Sequence, residues 1–317
     1  MTSKYSLSQS PLFKLKSKKK LADLLGQSLG DLQSLAKSND NYNVYTLSPK
    51  SKLDHPYFLR KERQVQEVRP HLKNVHERIL NLLKRVQTPD YLHSATKGKS
   101  YRSNAEAHLS KDVIYTVDIK SFYESVTFGR IYHFFHSTLK CSPDISHLLT
   151  RLCAYKRNLP TGSCISPLLS FWTNVTMFQE LDLFSKTNGL TMTLYVDDLT
   201  FSGTDLPKKT CFKIDKIIAS YGYKPHKQQL YINKKAKIVT GLALCGARLD
   251  IPNKRRGKIR VLIEAIARER DAEKKEKLCN SLVGMTYEAA QFNRGYARLI
   301  AKQIRKKCPC TRQQINL

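Results

Sequence analysis

Tyr195-Val196-Asp197-Asp198 constrains this chain more than any other stretch, because two adjacent carboxylates stand between two short runs of β-forming residues. Thr191-Met192-Thr193-Leu194 before it and Leu199-Thr200-Phe201-Ser202 after it mix β-branched, aromatic and apolar side chains and are bounded by Gly189 and Gly203, which is the pattern of a hairpin. A hairpin tip that carries Asp-Asp repels itself unless a cation sits there. Further upstream, Val113-Ile114-Tyr115-Thr116-Val117-Asp118 is a second β-rich run that ends on a carboxylate. Paired in one sheet, these segments would place Asp118 and Asp197 on a shared rim, with Asp198 beside them, able to hold two magnesium ions for in-line phosphoryl transfer.

The bulk charge points the same way. The 317 residues carry 55 Lys and Arg against 26 Asp and Glu, a formal net charge of +29. A surface this basic calls for polyanions, and nucleic acid is the usual one. With 41% hydrophobic residues the chain can bury a full core. Eight cysteines are scattered without metal-ligand spacing, and only Cys308-Pro309-Cys310 forms a close pair, so reduced thiols and a cytoplasmic setting are expected. The basic cluster from Lys14 to Lys20 is followed by no apolar segment of the kind that directs secretion, and no stretch approaches the length that spans a bilayer; no membrane partner is expected.

Three regions emerge along the chain. Leu21, Leu24, Leu25, Leu29, Leu32 and Leu35 recur at helical spacing, giving a helical N-terminal extension over residues 1–50. A helix is predicted over Lys73–Arg85. From Lys111 to about Gly246 β-type runs alternate with helical ones, an α+β body of a mostly antiparallel sheet with helices on one face, within a region of residues 51–250. After Pro252 only charged helical patterns remain, so residues 251–317 form a basic helical tail.

Asn158-Leu159-Pro160-Thr161-Gly162-Ser163-Cys164-Ile165-Ser166-Pro167 is a small-residue loop that opens a helix, with Ser166 as N-cap and Pro167 at the first helical position. Backbone N–H groups around Thr161 and Gly162 would let a flat base or sugar lie against it. Asp118 in Val-Asp-Ile-Lys-Ser-Phe-Tyr, this loop, and Tyr-Val-Asp-Asp, in that order, resemble the palm of reverse transcriptases. Asn104-Ala105-Glu106-Ala107-His108 ahead of the first of these strands, and Val239-Thr240-Gly241 after the hairpin, resemble blocks characteristic of bacterial retron reverse transcriptases. The resemblance runs from about Tyr57 to Phe292.

It implies a right-hand α+β polymerase with fingers, palm and helical thumb, in which Asp118, Asp197 and Asp198 bind two Mg2+ ions. Tyr123 would lie against the sugar and exclude a ribose 2′-hydroxyl, and Lys120 and Arg63 would meet the incoming dNTP triphosphate. Thr161 departs from the Gln that many reverse transcriptases carry in this loop. Around Lys224 and Lys227, where many polymerases keep a proton donor for pyrophosphate, Gln229 replaces the usual Lys and His226 the usual Asn. Asn104, His108, Val239, Thr240 and Gly241, with Arg255, Arg256, Lys258 and Arg260 of the tail, would contact RNA. The implied partners are a structured noncoding RNA, its single-stranded DNA product and an accessory effector protein in antiphage defence. The rivals are a group II intron-like or diversity-generating reverse transcriptase, the former short of room in a chain ending at Leu317, and a catalytically silent RNA-binding scaffold.

Overall fold

The computed structural model describes residues 4–47, 53, 55–58 and 62–307; Cys308-Pro309-Cys310 lies outside them. The chain divides into two compact units, one of residues 1–47, 63–107 and 111–233, the other of residues 48–62, 108–110 and 234–317.

The first unit opens with α1 (Lys18–Leu25) and α2 (Leu29–Lys37), in the stretch where the leucine spacing predicts helix, each capped by a serine, Ser17 and Ser28. β1 (Tyr42–Leu47) and β2 (Arg63–Val68) pair antiparallel, and α3 (Pro70–Lys84) follows with Pro70 in its first turn. Leu72, Val75, Ile79, Leu80 and Leu83 form its buried stripe. Next come α4 (Tyr101–Glu106), β3 (Val113–Ile119), α5 (Phe122–Ser125), α6 (Phe128–His133), α7 (Pro143–Cys153), α8 (Ser166–Thr173) and α9 (Val175–Thr187). β4 (Thr191–Tyr195), β5 (Asp198–Gly203), α10 (Lys208–Ser220) and β6 (Pro225–Ile232) complete the unit.

The sheet has the order β4-β5-β3-β6 with every pairing antiparallel. β3 is an inner strand and is buried along most of its length, which is why it reads as a continuous apolar run instead of an alternating one. β6 forms the edge, begins on Pro225 and is largely exposed or half-exposed. One local expectation shifts. Ser166 is the first residue of α8, not its cap, because its hydroxyl donates to the Pro160 carbonyl at 2.6 Å and so closes the preceding loop. The helices α8 and α9 break at Asn174, whose Nδ2 donates to the Ser170 carbonyl.

The second unit contains a meander of β7 (Lys237–Val239), β8 (Leu242–Cys245) and β9 (Arg248–Asp250), then α11 (Asn253–Arg268), α12 (Ala272–Ala290) and α13 (Arg294–Lys307). Ile259, Leu262, Ile266, Leu278, Leu282 and Ile304 bury a core of their own. The contact boundary at Asn233/Lys234 precedes the change of composition near Pro252, since the three short strands belong to the second unit.

Candidate active site

Asp118 near the end of β3 stands directly opposite Asp198, the first residue of β5. Facing residues on antiparallel strands hold their Cβ atoms about 5 Å apart, close enough for like charges to destabilise the pair. Asp197 occupies the two-residue turn between β4 and β5, and its carbonyl accepts the Ile119 N–H at 3.0 Å, which ties the tip to the end of β3. Three carboxylates from two distant stretches thus share one rim.

The turn that presents them is strained. Val196 has φ of 61°, a left-handed conformation that costs a β-branched residue about 1–3 kcal/mol. Its N–H donates to Ser94 Oγ at 3.0 Å and its side chain packs against the core. The segment bearing Ser94 is itself fixed to β4, since Leu194 donates to the Tyr91 carbonyl and accepts from the His93 N–H.

Burial pushes the Asp197 carboxyl up to about 6, with the charges of Asp198 and Asp118 adding to the shift. Asp198 is raised for the same reasons, burial first and then Asp118. The counter-charge is Lys227, whose Nζ lies 2.8 Å from Asp118 Oδ2 and whose own pKa that hydrogen bond raises. Lys227 reaches the rim through an irregularity in β6: Thr116 pairs with Gln229 and Asp118 with His226, so β6 carries an extra residue there, and Lys227 takes φ of 51°. Such a bulge re-aims a side chain. Among the described residues no three His, Cys, Asp or Glu side chains are gathered as a ready-made metal cage.

Tyr123 lies on α5, which Ser121 enters at φ of 48°. The phenol is half-buried, and its pKa is raised by burial and then by Asp197, which places the ring by the carboxylates. Lys120 and Arg63 are exposed; the Lys120 N–H donates to the Lys224 carbonyl, and Arg63 starts β2 opposite Leu47. Thr161 is bound to β2: its N–H and its hydroxyl both donate to Gln66 Oε1 at 3.0 Å. Gly162 bridges to Glu67, and a Cβ on it would meet the Gln66 carbonyl oxygen at 2.5 Å, so no side chain fits there. The next residue, Ser163, holds His76 of α3 at 2.7 Å, and the other ring nitrogen of His76 meets the Leu152 carbonyl. Burial lowers His76 to about 4, so the imidazole is neutral and must donate to that carbonyl and accept from Ser163. Gln66 and His76 escape the sequence reading because nothing local marks a partner 95 or 87 residues away.

The residues expected to touch RNA fare differently. Asn104 and His108 are 0% and 1% exposed, and neither Nδ2 nor Oδ1 of Asn104 has a partner, so both side chains are interior and offer RNA no surface in this conformation. Val239 is fully buried; Thr240 and Gly241, at φ of 43° and 79°, form the two-residue turn between β7 and β8. Arg255 pairs with Glu288, and Arg256 forks onto both oxygens of Asp250 at 2.8 Å while stacking on Tyr296. Lys258 lies over the Phe58 ring, and Arg260 is exposed.

An antiparallel sheet gathers Asp118, Asp197 and Asp198 at one rim, the arrangement expected of a polymerase palm. No family model matches the chain. It is 32% identical over 164 residues to the retron Se72 reverse transcriptase of Salmonella heidelberg, across 50% of this chain and 42% of that protein. It is 27% identical over 230 residues to the retron Ec86 reverse transcriptase of Escherichia coli, 71% and 70% of the two chains, and 27% identical over 223 residues to the retron Mx162 reverse transcriptase of Myxococcus xanthus, 60% and 46%. The chain is thus similar to several retron reverse transcriptases, and it spans less than half the length of the Se72 and Mx162 proteins. A solved foamy viral protease-reverse transcriptase in complex with RNA/DNA hybrid aligns with 78% of this chain and 27% of that one, at a TM-score of 0.43 and 16% identity.

Proposed function

We propose that this protein is an RNA-directed DNA polymerase of a retron. It copies a dedicated structured noncoding RNA into single-stranded DNA, primed from a guanosine 2′-hydroxyl so that the product stays branched to RNA, and serves antiphage defence with an accessory effector. The observation that carries the reading is the convergence of Asp118, Asp197 and Asp198 at one rim.

The donor set suits hard divalent cations, which take carboxylate oxygens. Burial and then mutual repulsion raise two of the three carboxyl groups, and the ammonium paired with Asp118 belongs to a side chain that is 63% exposed, so Lys227 can yield its place. Asp118, Asp197 and Asp198 would hold two Mg2+ ions, which when bound activate the primer hydroxyl and neutralise charge on the triphosphate. Tyr123 would lie against the deoxyribose, and the Thr161–Gly162 backbone would support the nucleotide. Lys227 stands best to protonate the departing pyrophosphate. In this reading β1–β2 belong to the fingers, the four-stranded sheet to the palm and α11–α13 to the thumb.

Primer extension with purified protein on an RNA template and DNA primer, with and without Mg2+, tests the activity. Metal-dependent synthesis that Asp118→Asn abolishes is expected; its absence would leave a silent RNA-binding scaffold. Branched RNA–DNA on protein purified with its neighbouring transcript tests the finer reading.

A further inference from the structure

We propose that the first unit carries a second nucleic-acid site, a groove along α2, α6, α7 and the turn at residues 155–158 that binds single-stranded RNA. It is built from three cavities in series. Those of about 830 and 230 Å3 share Ala36 and Arg151, and those of about 230 and 800 Å3 share Phe128 and Lys156. None of the three is lined by Asp118, Asp197 or Asp198.

Charge selects a polyanion. Lys37, Arg151, Lys156 and Arg157 line the groove and are exposed. Among its described lining residues only Asp144 is acidic, and that carboxylate is already engaged by the Ser142 hydroxyl at 2.5 Å and by Lys18 at 3.3 Å. Arg151 is held at the junction of two cavities because its Nε donates to the Ala36 carbonyl at 2.7 Å. Phosphates spaced along a strand would meet this row of cations, whereas an acidic peptide would leave the aromatic walls without a match.

Those walls select unpaired bases. Phe128, Tyr132 and Tyr155 are half-buried and line the groove. Phe128 meets the exposed His147 edge-on at 5.8 Å, which continues the aromatic lining from one cavity to the next. Bases stacked on such rings contribute about 1–3 kcal/mol each, and a duplex keeps its bases stacked on one another. Gln33 and Asn39 add amide donors and acceptors within the same lining, suited to a ribose 2′-hydroxyl, so the occupant is RNA.

The test uses the full chain and fluorescence anisotropy with an unstructured RNA of about 15 nucleotides and DNA of the same sequence. RNA should bind more tightly than DNA, and Lys37→Glu/Lys156→Glu/Arg157→Glu should weaken RNA binding at least tenfold at about 150 mM salt. The slope of log K against log salt should fall by about 2, given roughly 0.7 per phosphate contact on a single strand. Extension of a short preformed RNA–DNA duplex should be unchanged, so failure here is separable from failure of the polymerase reading. Phe128→Leu, which keeps an apolar side chain, should weaken RNA binding without changing the salt slope. Equal binding by the charge variant, DNA held as tightly as RNA, or loss of a protein partner with RNA binding intact would each overturn the proposal.

Discussion

At the rim of β3 and β5 three carboxylates share one ammonium, whereas in the second unit Arg255 and Arg256 each have an acid of their own. The contrast separates two uses of charge that look alike in a sequence. Glu288 and Asp250 lie 33 and 6 residues from their partners and turn those arginines into struts within a small helical core. Asp197 and Asp198, with carboxyls raised by burial and by their neighbours, have among the described residues only a share in Lys227 and gain most from an added cation. A net charge of +29 suits polyanions without marking a place for any ligand; charge that its neighbours leave unmet marks one.

The comparison breaks most directly by neutralising one member of each set. Asp118→Asn or Asp197→Asn should lower primer extension by more than about 1000-fold with the folded state retained by circular dichroism, since the metal-binding rim is lost. Arg256→Ala should leave duplex extension within about threefold and instead cost about 1–2 kcal/mol in urea unfolding, through Asp250 and the Tyr296 stack. The reverse pattern would dissolve the distinction. Gly162→Ala comes next: with the Gln66 backbone at 2.5 Å, something must shift, and a loss of about 1–3 kcal/mol with a raised KM for dNTP is expected. Tyr123→Ala should admit ribonucleotides at least tenfold more readily in misincorporation assays; continued refusal would remove the ring from the sugar site.

Acidity sharpens the same contrast. A carboxyl raised in the folded state binds a proton that the unfolded chain has already released, so its stabilising contribution is complete below about 3.8 and fades as pH rises through about 6. Metal-free protein should therefore lose about 2–3 kcal/mol from Asp197 across that window, Mg2+ at pH 7 should restore part of it, and Asp197→Asn should flatten the profile. The smallest effect on stability is that of Lys227→Met: an ion pair whose lysine is 63% exposed contributes at most about 1 kcal/mol, measured as a slight fall in metal-free Tm that added Mg2+ erases.

What the sequence makes legible is what is local. The β4–β5 hairpin follows from two β-rich runs about a two-residue tip, and Asp118 from a strand that ends on a carboxylate. The N-terminal helices and α3 follow from apolar spacing. Illegible are the features made by residues far apart: the Gln66 carboxamide on Thr161, His76 under Ser163, and the Glu288 that claims Arg255. The Asn-Ala-x-x-His block is expected to contact RNA, yet Asn104 and His108 are interior, because a five-residue stretch carries no signal for which way its polar side chains turn.

The bridge between Glu67 and Gly162 has a mechanical consequence. With backbone laid on backbone, and Gln66 bonded twice to Thr161, β2 cannot slide along the Thr161–Gly162 loop without tearing both contacts. Strand and loop are therefore coupled like two links of a chain, so that a displacement of either is passed to the other.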